Sequence, residues 1–286
     1  MSRIISIMTT YYPNKESVDN AKKISGQSDL LIICDNSPKN HKYLFSDLKN
    51  YKYFFWGKNL GLSAAFNRIL KEKSFDWQDD DYIIFFDQDT TIPPRHIKKL
   101  IDEYNYLINI HEKVGCIGPV YFNSSNDSEE VPRMKNYISN KTMRVNCIIT
   151  TSMLCQYKNM KKIGFWNEDV FLDMADWDVC WRYNKAGMNS YLTFASVISH
   201  TVGENDKKIG PMTIRVWKPF REYYQVRDGL YLFFKLYTPM KYKVRFIFTM
   251  LITLNIHFLC LDHRLERMKY VFKGIKDYFT RNKGSL

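Results

Sequence analysis

The chain of 286 residues contains no G-x-x-x-x-G-K-[ST] loop, no G-x-G-x-x-G turn and no C-x-x-C pair. Without the first it is no P-loop nucleotide enzyme, and without the second it lacks the dinucleotide-binding fingerprint. Its six cysteines (34, 116, 147, 155, 180 and 260), several inside apolar runs such as LLIICD, read as buried, reduced thiols of a cytosolic protein. The N-terminus, MSRIISIMTTYYP, has an apolar run of only five residues before Thr9. That is too short for a signal peptide, so no export is expected. A glycine-rich N-terminal phosphate loop with a nearby lysine, the device of an enzyme that makes nucleotide sugars, is also missing. No nucleic-acid-binding motif and no internal repeat occur.

Acids are scarce beside bases: 30 Asp and Glu face 42 Lys and Arg, for a net charge of +12 and a pI near 9.2. Such a balance asks for an anionic partner, which could be nucleic acid, a phosphorylated ligand or a membrane face. Position narrows the choice. From Lys235 to Leu286 there are eleven Lys and Arg and three acids, a net +8, so the preceding 234 residues carry only +4. The excess belongs to a tail, and this argues against nucleic acid as the partner of the remainder. Composition is otherwise that of an ordered globular chain, 45% hydrophobic and 25% charged. The 16% aromatic share supplies ring surface for one sizeable core or two smaller ones.

Over the first two hundred residues short β-rich runs alternate with helical patterns, which predicts an α/β fold with a mixed, mostly parallel sheet flanked by helices. RIISIM, DLLIIC, YKYFFW and DYIIFF are the clearest strands. Helices are expected at about 15–25, 61–73 and 94–110, the last opening on Pro93-Pro94. The polar run NSSNDSEE (123–130) reads as a surface loop. After Gly210 the strand signals stop, and three helices are expected at 214–236, 241–261 and 263–279. The division is thus a catalytic-type domain, 1–210, and a basic helical region, 211–286. In the second of those helices Arg245, Thr249, Thr253 and His257 recur every four residues through an apolar stretch. The stripe favours a helix lying in a membrane interface, with flanking Lys and Arg on anionic lipid, over a lipid-surrounded span or a plain core helix.

DYIIFFDQDT joins a continuous apolar run, the mark of a strand buried on both faces, to Asp87-Gln88-Asp89. In open α/β sheets ligands bind beyond the carboxyl ends of strands. If the backbone stays extended, the carboxylates of Asp87 and Asp89 act on one side while Gln88 faces elsewhere. Two hard oxygen donors suit Mg²⁺ or Mn²⁺, with a substrate diphosphate completing the shell; a polar strand end turning into the next helix is the plain alternative. The second strand ends in Asp35-Asn36, able to hydrogen-bond a base or ribose or to form an Asx turn before Pro38, and the first ends in Thr9-Thr10-Tyr11. GKNLGLSAAFN sets Asn59 and Gly61 at a helix start whose N–H groups could bind an anion.

FLDMADWDVCWRYNKAG crowds Asp173, Asp176 and Asp178 at another helix start, beside Trp177 and Trp181. Asp178 can pair with Arg182 at i, i+4, and a carboxylate left unpaired could accept a proton. His200, after a β-rich run, is either structural or a third metal ligand. In REYYQVRDGLYLFF the guanidinium groups of Arg221 and Arg227 could hold a diphosphate, of donor or lipid-linked acceptor, with Trp177 a further acceptor contact. Phe220, Tyr224, Arg227 and Tyr231 share one helical stripe that would equally serve packing.

Taken in order, TTYYPN, ICDNS, GKNLGLSAAFN, FFDQDT, FLDMADWDVCWR, ISHTVGE and KPFREYYQVRDGLYL resemble the family-2 inverting glycosyltransferases of the GT-A fold, most closely the bacterial rhamnosyltransferase-like branch. The resemblance covers roughly residues 9–232. It implies that Asp87 and Asp89 bind metal and donor diphosphate, Asp87 also touching ribose. Thr9 and Asp35 would contact the base, Asn59 and Gly61 would line the donor site, Asp176 would be the general base, and His200 would complete the metal site. The implied reaction moves rhamnose from dTDP-rhamnose, with inversion, to a hydroxyl of a lipid-linked glycan at the cytoplasmic face of a bacterial membrane, in cell-surface polysaccharide synthesis. UDP-hexose or UDP-galactofuranose is the alternative donor, and a basic nucleic-acid or membrane-binding protein without catalysis is the alternative class. Two departures from the pattern are TTSMLCQ, where relatives usually have a small glycine-containing turn, and Asp228, where they commonly have Asn.

Overall fold

The computed structural model describes residues 2–123, 128–130, 136–200, 205–209 and 212–286, with backbone alone at 123, 128–130, 200, 205–209 and 212–215. In chain order the first half runs β1 (Ile4–Thr10), α1 (Lys15–Ser25), β2 (Leu30–Asp35), β3 (Tyr51–Phe55), α2 (Leu62–Leu70), β4 (Tyr82–Asp87), α3 (His96–Asn109) and β5 (Val114–Asn123). The four strands expected from β-branched and aromatic runs are all present. Helix α1 begins where Asn14 and Ser17 cap it reciprocally, and it turns Ala21 and Ile24 to the core.

Next come β6 (Ser128–Glu130), β7 (Asn136–Tyr137), β8 (Thr142–Val145), β9 (Met153–Gln156), α4 (Tyr157–Lys162), α5 (Ala175–Lys185) and β10 (Asn189–His200). The main sheet has the order β3-β2-β1-β4-β9-β5-β10-β8-β7, with β6 beside β5. Strands β3, β2, β1 and β4 are mutually parallel, and β9 and β8 run antiparallel to their neighbours. Alternate residues of β4 face opposite cores: Ile83 and Phe85 pack with Phe66 and Trp166, while Ile84 and Phe86 pack with Leu100 and Tyr104. Thr9 is level with Cys34 on one side and Asp87 on the other, and Thr10 with Asp35. Three carboxyl strand ends therefore meet at one edge.

The remainder is β11 (Asn205–Ile209), β12 (Met212–Val216), α6 (Pro219–Phe233), α7 (Met240–Phe248), α8 (Leu254–Cys260) and α9 (Arg264–Phe279). Several expectations are corrected here. Ile214 does not start a helix: 212–216 pairs antiparallel with β11, and α6 begins only at Pro219, whose fixed φ suits a first turn. The polar run 123–130 is not all loop, because 128–130 pairs with β5. Pro93-Pro94 precedes α3, which starts after a left-handed Arg95 (φ 59°).

A π-helical turn, Thr249–Thr253, joins α7 to α8. The 21 residues Met240–Cys260 are long and apolar enough, by length and composition, to cross a membrane. The side turned to the protein carries Tyr242, Phe246, Leu254 and His257, whereas Val244, Phe248, Leu251 and Leu259 are exposed. The polar stripe thus ends inward, where His257 Nδ1 lies 3.0 Å from Glu222 of α6.

Candidate active site

Asp87 is the last residue of β4, and the Thr90 N–H donates to its carbonyl at 3.3 Å, closing a turn over Gln88 and Asp89. The premise of an extended backbone through the D-x-D is therefore corrected. Asp87 is half-buried and Asp89 exposed. Nor is Gln88 idle: its Oε1 accepts the Tyr11 N–H (2.8 Å) and its Nε2 donates to the Tyr11 carbonyl (3.1 Å), pinning the end of β1 to the acidic turn. Nothing in the sequence signalled this clamp. The unusual segment TTSMLCQ supports the same turn from within. Thr151 Oγ1 accepts the Asp87 N–H at 3.2 Å, and Ser152 bonds buried His96, which burial, helped by Lys99, holds down to about 4 and so neutral.

Asp35 has no exposed surface. One oxygen accepts the Ser37 N–H (2.9 Å), which is the Asx turn, and the other takes the Tyr53 hydroxyl and the His41 ring (3.1 Å). Burial alone would raise its pKa, but bonds from Ser37, Tyr53 and His41 outweigh it and hold the carboxyl below the usual range. Neighbouring Asn36 reaches the loop before α2, its Nδ2 donating to the Gly61 carbonyl at 3.2 Å. Within that loop Asn59 Oδ1 accepts the Gly61 N–H at 2.9 Å. Gly61 has φ +78°, and a Cβ there would lie 2.6 Å from the Phe171 carbonyl oxygen. Gly61→Ala is accordingly expected to cost about 2–4 kcal/mol, from the left-handed backbone and the overpacking together. A thermal melt reads this directly, and an unchanged midpoint would contradict the close approach.

The three acids of the second constellation part company. Asp178 is fully buried and bound by Arg182 Nε (2.6 Å), the expected i, i+4 pair, and by Asn167 and Tyr237. Asp173 takes Arg221 Nη2 at 2.6 Å. Among the described residues Asp176 accepts the adjacent Trp177 N–H (2.9 Å) and forms no ion pair. Burial first, then the Cys180 thiol and Asp173, push its carboxyl up to about 7, against the pull of the Trp177 N–H. Phe171 connects this segment to the start of α2, its carbonyl accepting the Leu62 N–H at 2.8 Å. From the other side Arg245 lies over the Trp177 ring at 5.5 Å and Tyr242 meets that ring edge-on.

Arg221 stays at this site, stacked on Trp217 at 4.6 Å. Arg227 does not. It has no exposed surface, and its guanidinium is held by Asp228 (2.8 Å), the Tyr223 hydroxyl and the Gly284 carbonyl, so the packing role of that stripe is the one observed. His200 ends β10, level with Asn123, and its side chain lies outside what is described. Thr201–Glu204 of the same motif also lie outside the described residues. Among the described residues no group of three or more His, Cys, Asp or Glu is arranged to hold a metal ion. Asp87 and Asp89 still offer hard oxygen donors of the kind a phosphate-bridging cation takes.

Residues 15–164, just over half the chain, match glycosyl transferase family 2. The chain belongs to that family. A dTDP-rhamnosyl transferase, RfbF of Shigella flexneri, is 24% identical over 283 residues, covering 94% of this chain and 92% of that protein. Among solved structures, GalNAc-T7 with UDP, GalNAc and Mn²⁺ superposes with a TM-score of 0.60 at 10% identity. That superposition takes in 99% of this chain but only 56% of GalNAc-T7. Residues 1–349 of S. aureus TarS in complex with UDP-GlcNAc give 0.56 at 12% identity, over 97% of this chain and 81% of that one. The mixed sheet is that of a GT-A glycosyltransferase. Asp35, Asn59, Gly61, Asp87 and Asp89 fall inside the family match, whereas Thr9, Asp176 and His200 fall outside it.

Proposed function

We propose that this family-2 enzyme transfers rhamnose from dTDP-rhamnose, with inversion, to a hydroxyl of a lipid-linked glycan at the cytoplasmic face of the membrane. The observation that carries the reading is the state of Asp176. Of three acids at one helix start it alone lacks a cation among the described residues, and its raised pKa suits proton exchange near neutrality. In that state the carboxylate takes the proton of the acceptor hydroxyl as that oxygen attacks the anomeric carbon, and a single displacement from the face opposite the leaving group inverts it. Asp87 and Asp89 would hold a divalent cation, Mn²⁺ or Mg²⁺, which when bound offsets charge on the departing diphosphate. In this reading Thr9, Asn59 and Gly61 line the nucleotide, and Asp35 serves it by ordering the 37–41 loop from beneath. His200 remains in the proposal as the third metal ligand.

The rhamnosyl donor is favoured by the relative that spans nearly the whole chain. UDP-sugars are the second reading, because the two solved structures named above hold UDP or a UDP-sugar. Calorimetric titration with Mn²⁺ present separates them. dTDP-rhamnose is expected to bind tightest, and tighter binding of a UDP-hexose or UDP-galactofuranose would move the assignment.

The acceptor side rests on the +8 tail and on the apolar surface of Met240–Cys260, an anionic-lipid combination. Phe248 and Leu251 are 53% and 68% exposed. Changing both to Glu should release the protein from vesicles of anionic lipid in a sedimentation assay, with the fold intact by circular dichroism. Undiminished co-sedimentation would show that this face is not the lipid contact.

A further inference from the structure

We infer that Asp228 is a positioning residue for the base: its carboxylate fixes the backbone of Phe171 and Leu172 and, through them, the turn that presents Asp176. This rests on the reading of Asp176 as base. One Asp228 oxygen accepts the Phe171 N–H (2.8 Å) and the Leu172 N–H (3.3 Å), and the other takes Arg227 Nε at 2.9 Å. Neither side chain of the pair has exposed surface. Phe171 is thereby held on three sides, because its carbonyl accepts from Leu62 and its ring stacks on Tyr224 at 4.9 Å and 8°. Three residues on, Met174 adopts φ +66° and α5 begins. Arg227 in turn binds the carbonyls of Asn282 and Gly284, so the chain's last residues brace the anchor. A buried ion pair is a weak source of stability, since desolvation offsets most of the attraction. What this pair supplies is an acceptor at a fixed point and angle.

Two double variants isolate that acceptor without leaving a buried charge unpaired. Arg227→Met with Asp228→Asn retains an oxygen for the two N–H groups, and Arg227→Met with Asp228→Leu removes it. The Asn form is expected to keep slow amide exchange at Phe171 and Leu172 and a kcat within threefold of the parent. In the Leu form exchange at those amides should quicken at least tenfold and kcat should fall at least tenfold, with donor affinity within twofold. Where the Leu form does not fold, Arg227→Met with Asp228→Ala makes the same comparison. Exchange is read without any transfer reaction, so it tests the anchor even if the rhamnosyl reading fails. Slow exchange at both amides in the Leu or Ala form would overturn the anchor. Fast exchange with unchanged kcat would overturn its positioning role.

Discussion

Asp176→Asn is expected to lower kcat by about a thousandfold, within the range removed with a general base, while donor affinity stays near the parent value. The amide keeps the shape of the carboxyl and can still accept the Trp177 N–H, so the start of α5 has no reason to shift. Only the capacity to take a proton goes. The pH dependence follows from the raised pKa. In the parent, kcat should climb as pH passes about 7, where the carboxylate forms, and this limb should vanish from the residual activity of the variant. Stability moves oppositely. A folded pKa of about 7, above the unfolded carboxyl value, means that the neutral group favours the fold fully at acid pH and that this contribution is lost as pH rises through 7. Above pH 7 the Asn variant should therefore melt no lower than the parent. Near-normal transfer by Asp176→Asn would show that the base is elsewhere.

Asp89→Ala is expected to weaken donor binding in the presence of Mn²⁺ by about a hundredfold or more, because the charge compensation a cation gives a diphosphate is worth several kcal/mol. Asp89 is exposed in the turn after β4, so the thermal midpoint should scarcely move. Isothermal calorimetry with and without Mn²⁺ gives both numbers. Unchanged affinity with Mn²⁺ present would remove Asp89 from the donor site. Gln88→Ala offers a useful contrast, since it breaks the clamp on Tyr11 and leaves both carboxylates in place.

Much of this was legible in the residues. Strand ends at Thr10, Asp35 and Asp87 follow from apolar runs that stop at polar groups, and their meeting at one edge follows from parallel neighbours in register. The pairing of Asp178 with Arg182 follows from helical spacing. Other features depended on tertiary contacts that no local pattern encodes. Arg221 and Arg227 look alike in sequence, yet one lies beside Asp173 and the other is enclosed by Asp228, Tyr223 and the end of the chain. The sequence reads 214–236 as one helix, and it is the pairing of 212–216 with 205–209 that makes the first of those residues a strand instead. Asp35 looked like a ligand contact and is saturated from within, which the Asx-turn alternative had allowed.

Incubating the purified protein with Mn²⁺ or Mg²⁺ and a panel of nucleotide sugars, with and without lipid-linked oligosaccharide, and measuring nucleoside diphosphate release tests the proposed activity most directly. dTDP-rhamnose should be consumed, with dTDP released, only when metal and acceptor are both present, and Asp176→Asn should all but stop it. Neither turnover nor binding with any donor in the panel would contradict a glycosyltransferase active at this site.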